Sequence, residues 1–61
     1  MYIFWNEREI ALIKVVVRGN EYSIDFYNNI YRTRDPAVAK AIKKYIKENP
    51  GCGIKLKTEP Q

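Results

Sequence analysis

Few residues in this 61-residue chain could do covalent or acid–base chemistry, and they are not grouped as such chemistry requires. There is no histidine, the side chain that most often moves protons near neutral pH and ligates zinc or haem. The single cysteine, Cys52, lies between Gly51 and Gly53 with no base beside it, and Ser23 falls inside an alternating, strand-like segment. Glu7, Glu9, Glu21, Asp25 and Asp35 each read as turn, cross-strand or capping residues and do not converge as a general acid and base. Gly51-Cys52-Gly53 precedes a strand and does not open a helix, so it is not a phosphate loop. The expectation is a non-enzymatic protein with no metal, no cofactor and no small-molecule substrate.

The side chains that could act by binding are basic. Eleven Lys and Arg against seven Asp and Glu give a net charge of +4, which favours contact with phosphates, anionic lipid or acidic partners. Four of them, Lys40, Lys43, Lys44 and Lys47, recur at helical spacing on the arc opposite Val38, Ile42, Tyr45 and Ile46. A solvated helix face usually mixes Glu with Lys for i,i+4 pairing, and here only Glu48 interrupts the run. Against nucleic acid these lysines would be phosphate contacts, with Arg32, Arg34, Lys55 and Lys57 extending the patch. The helix has no Arg, Asn or Gln to bond base edges, so sequence-specific readout is not expected. Eight aromatics could also stack on unpaired bases, but Phe26, Tyr22, Tyr31 and Tyr45 are expected in the core.

The elements that position these residues follow from turn signals and periodicity. Ile10 to Tyr27 carries two period-2 apolar patterns about Gly19-Asn20, a dipeptide suited to a two-residue hairpin turn. A turn centred there pairs Arg18 with Glu21, Val17 with Tyr22, Val15 with Ile24, Lys14 with Asp25 and Ile13 with Phe26. Asn28-Asn29 supplies a second turn, bringing Tyr27 to Ile30, Phe26 to Tyr31 and Asp25 to Arg32 in a three-stranded meander. Lys14, Asp25 and Arg32 would then form a charged row on its outer face. Asp35-Pro36 caps and opens a helix that runs to about Glu48 and stops at Asn49-Pro50-Gly51. Gly53 to Lys57 alternates like a final strand, and Tyr2 to Trp5 reads as a first one, turning at Asn6-Glu7.

The expected fold is α+β: a small antiparallel sheet with one helix on one face, in the order β-β-β-β-α-β, over residues 1–57, with 58–61 as a frayed tail. A chain of this length buries only about 60% of its unfolded surface, and one cysteine offers no intrachain disulfide, so a partner subunit is the natural supplement. The outer sheet face offers Ile10, Leu12, Val16, Tyr27 and Ile30, apolar side chains that either the strand bearing Trp5 or a second copy would cover. The apolar run Met1 to Trp5 is too short to span a membrane, so the expectation is a soluble, cytoplasmic protein. Abundant Ile, Lys and Tyr with little Gln suggest a thermophilic source, a hint that five asparagines offset.

Tyr31-Arg32-Thr33-Arg34-Asp35-Pro36-Ala37-Val38-Ala39 resembles a strand-to-helix junction that recurs in short proteins of tailed phages and related mobile elements. That resemblance implies an assembly or accessory protein acting through protein contacts, located in the host cytoplasm or the virion. The first expectation is therefore a protein-interaction module, a homodimer or part of a larger assembly. The alternative is a small nucleic-acid-binding protein using the lysine face of its helix.

Overall fold

The computed structural model describes residues 1–8 and 11–60. Ile10, expected at an interface, lies outside the described residues, as does Glu9. The α+β class and the element order hold: β1 is Tyr2–Asn6, β2 Leu12–Val17, β3 Asn20–Asp25, β4 Ile30–Thr33, α1 Pro36–Glu48 and β5 Ile54–Thr58. The final strand reaches Thr58, within the segment expected to fray, and Glu59 beyond it is ion-paired with Lys43 at 2.6 Å.

The first hairpin forms with its turn one residue earlier than expected. Arg18 (φ 51°) and Gly19 (φ 80°) are its central residues, so Val17 faces Asn20, Val15 faces Tyr22, Ile13 faces Ile24 and Leu12 faces Asp25. A two-residue turn with positive φ at both centres prefers glycine second, and only a turn at 18–19 puts Gly19 there. Asn20 reinforces it by donating from Nδ2 to the Arg18 carbonyl (3.4 Å). Moving the turn by one residue slides the strands by two, which conserves the faces. Ile13, Val15, Val17 and Ile24 are buried as the alternation requires. What changes is the charge pairing. Lys14 faces Ser23 and reaches Glu21 diagonally at 3.6 Å, while Arg18 leaves the strand pair altogether.

The second turn is as expected, with positive φ at Asn28 and Asn29 and reciprocal hydrogen bonds between Tyr27 and Ile30 (3.1 and 3.0 Å). Past that bridge the meander does not continue. β4 parts from β3 and pairs with β1, giving a three-stranded sheet β4-β1-β5 beside the two-stranded sheet β2-β3. The expected row of Lys14, Asp25 and Arg32 is therefore absent: Asp25 faces Leu12 and Arg32 faces Ile3. The reason is coverage. Five strands side by side would be about 19 Å wide at 4.8 Å spacing, while one helix is about 10 Å across. Splitting the strands folds the hairpin over the core, so both sheets close on one helix.

That core has three walls. Phe4 and Ile54 come from the three-stranded sheet, Ile13, Val15, Val17, Ile24 and Phe26 from the hairpin and its end, and Val38, Ala39 and Ile42 from α1. Phe26 and Tyr31 meet edge to face at 6.3 Å, which preserves the expected contact without the expected strand pairing. Tyr22 was expected inside but is 42% exposed, because the helix packs along β2 and leaves β3 near its tip uncovered. Asn6, fully buried at the end of β1, accepts from the Arg8 N–H (3.1 Å) and donates its own N–H to the Asn29 carbonyl (2.8 Å), tying three chain segments together.

Two predictions follow from this packing. Ile42 is wholly buried, so Ile42→Ala should cost about 2–5 kcal/mol, most of what a domain this small has, and leave the chain largely unfolded in a urea titration followed by circular dichroism. Gly53 has φ +82°, and a Cβ there would overlap Arg8 Cγ, whereas Gly51 (φ +87°) has open space. Both alanine variants should lose about 1–2 kcal/mol for the left-handed backbone. Gly53→Ala should lose measurably more, and equal losses would mean that Arg8 moves aside freely.

Candidate functional site

The helix α1 is fixed at its start by chemistry readable in the sequence. Asp35 accepts from the Ala37 N–H at 2.9 Å and Pro36 occupies the first helical position. Arg18 at the hairpin tip adds a second hold, its guanidinium lying 2.7 Å from the Asp35 carboxylate. That hydrogen bond, joined by the one from Ala37, holds the Asp35 carboxyl below its ordinary range, and Asp35 in turn raises Arg18. One acid thus caps the helix and anchors the tip of the β2–β3 hairpin beside it.

Between these anchored elements runs an open groove of about 520 Å³. Val17, Ala37 and Ala41 line it with apolar side chains, exposed Val16 adjoins them, and Lys40, Lys44 and Lys47 stand along it with Lys43 and Arg18. The alanines explain why it exists: side chains this small leave the space between helix and strand unfilled. Lys43 is engaged by Glu59 (2.6 Å) and lies 5.7 Å from the centre of the Tyr2 ring, and Arg18 is engaged by Asp35. Lys40, Lys44 and Lys47, spaced i, i+4, i+7, make no ion pair among the described residues. Lys47 sits in the last turn, where the helix dipole favours it. Lys40 and Lys44 repel each other at i,i+4, at roughly 0.2–0.5 kcal/mol, and the one acid of the helix, Glu48 at i+4 from Lys44, makes no ion pair with it.

The other expected contact residues separate into distinct places. Arg32, Lys55 and Lys57 are on the three-stranded sheet, away from the helix lysines, and Arg34 is exposed in the link between β4 and α1. Of the expected interface residues, Leu12 and Val16 are exposed on the hairpin (43% and 67%), not covered by β1, which lies between β4 and β5. Lys14, Glu21, Ser23 and Asp25 share that hairpin face, so the apolar side chains there are not contiguous. Trp5, Ile30 and Tyr27 instead come together as neighbours across strands. Arg18 was absent from the expected set, and the signal that finds it is the preference of the turn for Gly19 as its second residue. Tyr31 packs against the core, and burial raises its phenol above the ordinary value, so it stays neutral near pH 7.

Among the described residues no cluster of three or more His, Cys, Asp or Glu could hold a metal ion, and no helix is long and apolar enough to cross a membrane. Comparison with known proteins finds no matching family model, no matching curated protein and no matching solved structure.

The Arg18–Asp35 contact makes a pH prediction. A carboxyl whose folded pKa is depressed contributes stability above its unfolded value near pH 4, and that contribution disappears as pH falls through the folded pKa. Asp35→Asn keeps a cap acceptor but does not titrate. Its Tm should lie below the parent's at pH 7 and converge with it towards pH 2, and a gap that stays constant with pH would show that the ion pair does not anchor the hairpin.

Proposed function

We propose that this protein is a non-enzymatic binding module for a polyanion, and that the polyanion is nucleic acid held by its phosphates along the groove between α1 and β2. The observation that carries this reading is the line of Lys40, Lys44 and Lys47, which share one groove and lack acidic partners among the described residues. Their mutual repulsion is a cost that a bound anion relieves. From Lys40 to Lys47 the helix advances about 10 Å, the axial length over which one strand of a duplex carries about three phosphates. Lysines act as point charges and not as base-reading forks, so the affinity is sequence-independent. Such a ligand fits a role in the cytoplasm or within a virion.

A second reading, a homodimer or a subunit of a viral or mobile-element assembly, has its own support in the exposure of Leu12, Val16 and Tyr27 (43%, 67% and 81%). The polar residues interleaved on the hairpin face make that surface the weaker of the two.

Fluorescence anisotropy with a labelled mixed-sequence duplex between 50 and 200 mM salt separates them. Three lysine contacts predict a slope of log K against log salt of about −3, and Lys44→Glu with Lys47→Glu should weaken binding and flatten the slope by about 2. Leu12→Glu should change neither. Salt-independent binding, or no loss on charge reversal, contradicts the groove reading. A salt-insensitive dimer broken by Leu12→Glu would put the homodimer in its place.

A further inference from the structure

The outer face of the β4-β1-β5 sheet, turned away from α1, carries a row that the sequence does not announce. Tyr27 bridges to Ile30, Ile30 pairs with Trp5, and Trp5 pairs with Lys55, so these four side chains lie side by side across the strands. Cross-strand partners share a face, and the opposite residues, Phe4, Tyr31 and Leu56, are the ones that pack into the core. Tyr27 is 81% exposed and Trp5 is partly exposed. The next row adds Arg32 opposite Ile3, and Lys57 stands at the bulge of β5. Both strands flanking β1 thus present exposed cations beside the aromatic row. Glu7 offsets one of them, pairing with Lys55 at 3.1 Å on the exposed rim, and Arg32 and Lys57 have no ion pair among the described residues.

We propose that this face binds single-stranded nucleic acid, with unpaired bases stacking on Trp5 and Tyr27 and the backbone held by Arg32, Lys55 and Lys57. Aromatic rings flanked by cations match the two parts of a single strand, flat base and anionic phosphate. Trp5 and Tyr27 are two strands apart, about 10 Å, so the bases they take must be splayed, which excludes bases stacked inside a duplex. Arg32 is the single guanidinium among the described residues of this face, and a flat sheet face with one such planar fork is not built for major-groove readout. A second copy is a poor occupant, because an isologous contact would set the surface bearing Arg32, Lys55 and Lys57 against the same basic surface of the other copy. The site is separate from the helix groove and goes beyond the reading given for it.

Trp5 is the only tryptophan, so its emission reports on this face alone. Titration with a short oligothymidylate should quench it saturably, and the Lys44→Glu, Lys47→Glu variant should be quenched as the parent is. Tyr27→Ala, at a site too exposed to disturb folding, and Trp5→Leu, followed by anisotropy of labelled oligonucleotide, should each weaken binding about 5- to 150-fold. Binding with no change in Trp5 emission, quenching lost in the groove variant, or undiminished affinity in Tyr27→Ala would each overturn the proposal. So would a concentration-dependent blue shift of Trp5 accompanying dimerisation without oligonucleotide, which would give the face to a second copy.

Discussion

The fold depends on one interaction, the burial of Val38, Ala39 and Ile42 of a 13-residue helix against two sheets at once. With one helix and no crosslink, those three side chains are committed inward, and Ala37, Ala41, Tyr45 and Ile46 pack against the core from the edges of the arc, partly exposed. The same constraint separates the strands. A flat five-stranded sheet would leave its flanks uncovered, and the hairpin closes over the helix instead, which places Val16 and the hairpin tip beside the lysines.

Asp35 is the hinge of that arrangement. Its carboxylate satisfies a helix N-terminal amide and receives Arg18 from the hairpin, so a local cap becomes a tertiary contact. The groove is the space left between two elements joined there, kept open by Ala37 and Ala41. Its cationic character follows from the helix having Lys on most of its solvent side and no acid before Glu48. The outer sheet face has a separate origin. Because β1 takes the central position, its alternation sends Phe4 inward and Trp5 outward, and the pairing on either side supplies Ile30 and Lys55 as neighbours.

Much of the fold was legible from local chemistry. Asp35-Pro36 and Asn49-Pro50-Gly51 bound the helix where expected, Asn28-Asn29 turns as expected, and the alternation of Ile13, Val15, Val17 and Ile24 marks the correct inward face. The hairpin register was not fixed by that alternation, because a two-residue slide leaves both faces apolar and polar as before, and only the placement of Gly19 within the turn distinguishes the alternatives. Strand pairing was less legible still. Nothing local in Tyr2–Asn6 says that it displaces β3 as the neighbour of β4; that follows from how much sheet one helix can cover. The helix lysines were legible as a group, whereas the meeting of Trp5, Ile30 and Tyr27 beside Arg32 and Lys55 needed the long-range pairing.

Amide chemical-shift mapping of isotope-labelled protein during titration with a mixed-sequence duplex tests most directly the claim that nucleic acid is held along the helix–hairpin groove. Binding there predicts shifts concentrated at Val16 to Arg18 and Lys40 to Lys47, diminishing as salt is raised. Shifts confined to Leu12, Ser23 and Asp25 on the outer hairpin face, or none at saturating duplex, would contradict it.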